Sequence, residues 1–411
     1  MRPMKRLPVL AVLFASLSFA GEPSGWKFKA GEKGKPAILL IHGLAASRKH
    51  WTSPAETWSI KNGHYKHWKE PKKQSGKSKL PKVKGDVRSI VLSAVDKHAD
   101  EDGSFWKYLV SQGYTVATWN QIPCMDSEDQ PSQKCLNSDV FDAAYPTAKE
   151  ALAYLATQTT EDLALVAHSR GGLIGRKLLK ESNEALPPVA RVKWLITLHT
   201  PHHGSSMATK GNEVEKAFKS PLKGVDLDFV PKLFRDAVKK LVPDAGDKLA
   251  KTIDVVVVLT GLTGARELDA NGKLYKDLEA GEKKRDGVKY FTFGGTSPRL
   301  AKVWARQYSD AGFEWKTSPK ELLDFPGDLK VPFDEMKKGG DLLVTNDSAK
   351  FGFAEKHFTN KLNHAEVLWN KKVQKKVVSL LVVEPPQADE PEAEAGEGDA
   401  EDDADDDTAA D

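Results

Sequence analysis

Five short apolar runs recur along the chain: Ala37-Ile38-Leu39-Leu40-Ile41, then residues 114–119, 163–166, 192–198 and 288–293. Their apolar positions are near-continuous, the pattern of strands covered on both faces. Helical spacing of apolar residues lies between them, at 105–112, 143–158 and 173–182. Strands that alternate with helices predict crossover units and a mainly parallel sheet with helices on both faces, an α/β fold. In such a sheet the loops at the carboxyl ends of the strands gather on one crevice, where active sites lie.

Two segments break this rhythm, and both leave from the crevice side. Residues 45–101 form an insertion rich in Lys, His and Trp, with His64-Tyr65-Lys66-His67-Trp68 inside it, best read as a basic, solvated excursion. Residues 205–286 read as a largely helical cap or lid. They contain Phe229-Val230-Pro231-Lys232-Leu233-Phe234 and Ile253-Asp254-Val255-Val256-Val257-Val258-Leu259, apolar segments suited to covering a greasy substrate. The second of these fits an extra strand or a buried helical turn equally well. No internal repeat is visible.

The chain ends change the picture of where the protein works. Arg2, Lys5 and Arg6 precede an apolar stretch over 7–19, and Ser18-Phe19-Ala20 fits a small-x-small cleavage site. Residues 1–20 are therefore expected to be an export signal, with a mature chain starting near Gly21 in the periplasm or outside the cell. Residues 384–411 hold 14 acidic residues and nothing apolar larger than Ala, so a disordered acidic tail is expected. Removing those charges from the chain total of +3 leaves about +17 on residues 1–383, a basic body. Residues 21–383 are enough for one decorated domain. Cys124 and Cys135 are the only cysteines, and in an oxidising compartment they are expected to close a disulfide.

The chemistry concentrates at Ala167-His168-Ser169-Arg170-Gly171-Gly172, between the run ending at Val166 and the helical stretch from Leu173. A strand, a sharp turn and a helix with serine at the bend make a nucleophile elbow, which aims the following backbone N–H groups at a developing oxyanion. Gly171, Gly172 and Ala167 supply the small residues this turn needs. A serine hydroxyl needs a histidine to take its proton and a carboxylate to hold that histidine, in the chain order Ser, acid, His. The strongest later candidates are Asp341 and His364, with Asp347 and His357 in reserve; order alone leaves the base open between His357 and His364. His199, His202 and His203 come too early for that role. The Arg170 side chain is expected to be a surface charge, and His168 to pack against the sheet.

From Ile41 to Trp369 the chain resembles the secreted bacterial triacylglycerol lipases of the α/β-hydrolase superfamily. The resemblance is carried by Ile41-His42-Gly43-Leu44, by the elbow, by Thr200-Pro201-His202-His203-Gly204-Ser205 and by Tyr290-Phe291-Thr292-Phe293-Gly294-Gly295. Asp341-Leu342-Leu343-Val344 and Asn363-His364-Ala365-Glu366-Val367 match the family's acid and base segments. It implies the α/β-hydrolase fold, the triad Ser169, Asp341 and His364, and an oxyanion hole from the N–H groups of Leu44 and Arg170. It implies no organic cofactor. Several relatives bind calcium through a carboxylate two residues after the catalytic histidine, which marks Glu366 as a calcium candidate. The family glycine after the acid is Leu342 here, expected to bend that loop differently.

The expected activity is hydrolysis of lipid or small carboxylic esters, with contact to a lipid interface. An acyltransferase or thioesterase shares the acyl-enzyme, and a hydrolase-fold binding protein that lost catalysis shares the fold. Nucleic-acid binding has no stacking platform to support it.

Overall fold

The structure, a computed structural model, describes residues 21–44, 46–54, 87–93, 103–121, 141–208, 263–298, 302–309, 312–314, 334–336 and 339–382. The export segment, most of the 45–101 insertion, Cys124 and Cys135, residues 209–262 of the expected cap with both apolar segments, and the acidic tail lie outside the described residues.

In chain order the strands are β1 (Lys27–Lys29), β2 (Ala37–Ile41), β3 (Val87–Ser93), β4 (Thr115–Thr118), β5 (Leu163–His168), β6 (Val192–Leu198), β7 (Lys289–Gly295), β8 (Lys302–Ser309), β9 (Gly312–Glu314) and β10 (Lys356–Asn360). Seven of them form one sheet in the order β1-β4-β2-β5-β6-β7-β10. Every neighbouring pair is parallel except β1 with β4. An antiparallel first strand beside a parallel sheet, with a sharp strand-to-helix turn at Ser169 after the central strand, is the α/β-hydrolase fold. The remaining strands pair antiparallel as β3-β8-β9. That small sheet takes one strand from the insertion after β2 and two from beyond β7, neither expected from the sequence.

The unbroken apolar runs follow from burial on both sides. In β2, Ala37, Leu39 and Ile41 pack with Ala144, Ala148 and Leu152 of the helix Phe141–Gln158 and with Leu173, Ile174 and Leu178 of the helix Gly171–Lys180. Their alternates, Ile38 and Leu40, face Phe105 and Leu109 of the helix Phe105–Ser111 and Val373 and Val377 of the helix Lys371–Leu380. A period of two splits each strand between two cores, and each fully buried Leu or Ile contributes roughly 1.5–3 kcal/mol. β5 and β7 run two residues past their apolar runs, through Ala167-His168 and Gly294-Gly295, polar or small residues at the crevice.

The turn from β5 into the Gly171–Lys180 helix crosses the end of β2 at close range. A Cβ on Gly171 would stand 2.6 Å from the carbonyl oxygens of both Ile41 and His42. No side chain fits there, which is why the elbow carries glycine. Gly171→Ala is expected to destabilise the protein by about 1–3 kcal/mol in urea unfolding; unchanged stability would contradict this close approach.

Candidate active site

Among the described residues, the non-glycine residues with positive φ are Ser169 (55°), His199 (51°) and Leu342 (98°). Such conformations cost roughly 1–2 kcal/mol each and persist only where their surroundings enforce them. All three stand at one place, the crevice beyond the carboxyl ends of β5 and β6. Ser169 is the elbow: its N–H donates to Leu198 O at 2.9 Å, and the helix begins two residues later.

The serine hydroxyl lies 2.9 Å from His364 Nε2, and His364 Nδ1 lies 2.9 Å from Asp341 Oδ2. An ionised carboxylate only accepts, so the ring proton is on Nδ1 and Nε2 is free to take the serine proton. Asp341 is 0 % exposed. Its Oδ1 accepts the N–H groups of Leu343 at 3.0 Å and Val344 at 2.7 Å. Burial by itself raises the pKa of this carboxyl, but His364 first and His199 with it hold it well below the usual carboxylate range. The acid and base loops are also joined directly, His364 N–H donating to Asp341 O at 2.8 Å.

Ser169, His364 and Asp341 thus come together as the sequence pattern anticipates. The reserves do not. The Asp347 side chain is 86 % exposed and pairs with Lys350. His357 sits on β10 between Thr292 Oγ1 at 2.8 Å and Asn346 Oδ1 at 3.1 Å. Burial, then Lys350, lowers the His357 pKa to about 4.

Leu342 does not bend the acid loop away. It takes a left-handed backbone, held by its N–H bond to Glu335 O at 3.0 Å and by the Gly340–Thr345 bridge across the loop. Glu335, which no sequence signal marked, is buried beneath this loop. Its carboxylate accepts Ser206 N–H at 2.6 Å, Ser206 Oγ–H at 2.7 Å and Ser205 Oγ–H at 3.2 Å. It ties the segment after β6 to the acid.

Arg170 corrects the surface reading: it is 1 % exposed, with Nη2 3.5 Å from the Oε1 of buried Gln121. Gln121 is a second residue the sequence did not mark. Its backbone N–H donates to His42 Nε2 at 3.1 Å, and its side-chain amide donates to His42 O. His42 Nδ1–H in turn donates to Gly43 O at 3.0 Å. These bonds fix the strand-to-loop turn that presents Gly43 to the nucleophile, so close that a Cβ on Gly43 would stand 2.9 Å from Ser169 Cβ. The two N–H groups expected at the oxyanion hole, those of Leu44 and Arg170, belong to the residues that follow Gly43 and Ser169 in the chain.

His168 packs beneath the base and also holds it. Its Nε2 lies 2.8 Å from His364 O, a carbonyl that can only accept, so the proton is on Nε2. His168 Nδ1 then accepts His50 Nε2–H at 3.0 Å. Burial, followed by neighbouring imidazoles, pushes His50 and His168 well below 6.5, and both are neutral. Glu366 and Asn363 brace the loop that carries His364 by reciprocal bonds: Glu366 Oε2 accepts Asn363 N–H at 3.0 Å, while Asn363 Oδ1 accepts Glu366 N–H at 2.8 Å. Among the described residues, the His, Cys, Asp and Glu atoms close enough to share a metal ion are those of His199, Asp341 and His364, the acid itself with its two imidazoles.

No family model and no curated protein matches the chain. Solved structures similar to it include the mature form of the Bacillus licheniformis lipase BlEst2, with 17% identity, 88% of this chain and 100% of that chain covered, and a TM-score of 0.39. EstA from Clostridium botulinum has 13% identity over 92% of this chain and 98% of that chain, with a TM-score of 0.38. A hydrolase from Oleispira antarctica has 10% identity over 89% and 97%, with a TM-score of 0.40. At such values the chemistry of this chain rests on its own site.

Three buried histidines, His50, His168 and His202, and the half-buried His357 have pKa values below 6.5 in the folded protein, each mainly through burial. The unfolded chain then binds more protons below that pH. Their contribution to stability is complete above 6.5 and is lost as the pH falls toward the folded values, about 4 for His357. Asp341, lowered in the fold, adds a loss only at still lower pH. The Tm is expected to fall steadily between pH 6.5 and about 4; a Tm that holds constant over that window would contradict the burial of neutral imidazoles.

Proposed function

We propose that this chain is an exported serine hydrolase that cleaves carboxylic esters, lipid esters foremost. The observation that carries the reading is the continuous chain from Ser169 through His364 to the buried carboxylate of Asp341, at 2.9 Å in each link. Ser169 Oγ attacks the acyl carbonyl as His364 Nε2 takes its proton. Asp341 holds the imidazole in the Nδ1–H form and stabilises the imidazolium. The N–H groups of Leu44 and Arg170, with the N-terminus of the Gly171–Lys180 helix, face the oxygen that becomes negative. His364 then gives its proton to the leaving alcohol, and water attacks the acyl-enzyme by the same route in reverse.

The lipid assignment is supported by the resemblance of the oxyanion, elbow, Thr200–Ser205, acid and base segments to secreted lipases. The export assignment is supported by the charged, apolar and small-residue pattern of residues 1–20. Structures with similar folds include proteins described as a lipase and a hydrolase, in keeping with this reading.

The test is hydrolysis of short- and long-chain p-nitrophenyl esters by the mature protein beside Ser169→Ala. Turnover is expected to drop by about 10⁴-fold or more in the variant. A preference for long acyl chains is expected; a preference for acetate or butyrate would remove lipid from the proposal. A folded wild type no faster than Ser169→Ala on every ester would overturn hydrolysis itself.

A further inference from the structure

A groove of about 620 Å³ lies at the β10 edge of the central sheet, beside the start of the helix Lys371–Leu380. Small-molecule sites have volumes of roughly 300–1,000 Å³. Phe293 of β7 and Phe358 of β10 stack in it with ring centroids 4.8 Å apart, and Trp369 and Val373 continue the apolar lining. Asn360, Lys361, Leu362 and Glu366 form one wall, so the groove backs onto the loop that carries His364. Ser169, Asp341 and His364 do not line it.

The rim carries charge that the protein does not neutralise. Lys361, Lys371, Lys372 and Lys376 line the groove and are exposed. Among the described residues no carboxylate lies within ion-pair distance of any of them, whereas Lys35, Lys273, Lys284 and Lys350 elsewhere on the surface each have one. Glu366, the one carboxylate among the described lining residues, is 4 % exposed and accepts Asn363 N–H. Lys376 Nζ stands 5.0 Å from the centroid of the Phe358 ring, which joins the cationic rim to the aromatic floor. The positive end of the Lys371–Leu380 helix adds to the same field.

We propose that this groove binds a fatty-acid anion, with the carboxylate at the lysine rim and the methylene chain along Phe293, Phe358 and Trp369. The inference goes beyond the hydrolase reading and does not depend on it. Each half of the groove calls for one half of the ligand. An exposed ion pair gains little in water, so a small anion such as acetate or phosphate would be held weakly by the lysines alone. An uncharged chain would bury apolar surface on the rings but leave the ammonium groups without a counter-charge. A single-chain carboxylate satisfies both: burial of the chain supplies the affinity, and the ammonium groups select the charged head and fix its orientation.

The test is calorimetric titration of the full chain with octanoate, decanoate and laurate at about pH 8, where the head is ionised. Saturable binding is expected, tighter by about three- to tenfold with each two-carbon extension, and tighter by about tenfold or more for decanoate than for 1-decanol. The double variant Lys372→Glu/Lys376→Glu is expected to weaken decanoate binding by about tenfold or more, and Lys375→Glu, an exposed lysine of the same helix that does not line the groove, by less than about threefold. Binding that does not saturate, or that both variants weaken equally, would overturn the inference. Decanoate that binds the double variant as well as wild type and competes with ester turnover would place the ligand at Ser169, against the inference and with the hydrolase reading intact. Binding to phosphatidylglycerol vesicles without binding of decanoate would overturn it in favour of a bilayer surface. Absence of ester turnover bears on Ser169 and leaves this test unchanged.

Discussion

A carboxylate stripped of water has to be compensated by donors, and much of this crevice is arranged around that requirement at Asp341. Leaving such a charge unpaired would cost several kcal/mol. Three N–H groups meet it, two from its own loop and one from His364, and a second imidazole, His199, lies against the same oxygen. The loop can supply its two because it turns sharply through Leu342, and it can turn there because Glu335 and the Gly340–Thr345 bridge hold it. The base, in turn, is placed by Asp341 on one ring nitrogen and by His168 on its backbone carbonyl. Ser169 completes the arrangement only because the elbow holds it in a left-handed conformation.

Several functional features here are strained or polar groups buried at strand ends, and they depend on the rigid sheet beneath. β2, β5 and β6 are fully or almost fully buried, with their side chains divided between two cores. Such packing gives their carboxyl ends little freedom, so loops starting there are fixed at the root. Buried histidines are affordable in this setting because each ring finds a partner: His42 with Gln121, His168 with His50 and His364, His202 with Thr197.

The central sheet was legible because a strand buried on both faces must be apolar at every position, and few other segments are. The elbow was legible because a serine between an apolar strand and a glycine pair admits few structures. By contrast β10, with the sequence Lys-His-Phe-Thr-Asn, is a half-exposed edge strand whose pattern looks like a loop. β1 is three residues long and gives no periodicity. Arg170 is buried against the local pattern, which favours a solvated charge there, because the fold brings Gln121 beside it. His199, Glu335 and Gln121 act through contacts far apart in sequence, for which no local pattern exists.

The central claim is that Ser169, His364 and Asp341 operate as one unit through a covalent acyl-enzyme. Rapid mixing with a p-nitrophenyl ester, an acid quench and mass analysis of the Ser169 peptide test it most directly. The account predicts a burst of p-nitrophenol and an acyl group on Ser169 in the quenched protein. Ester cleavage without any acylated Ser169, or acylation of another residue, would contradict it.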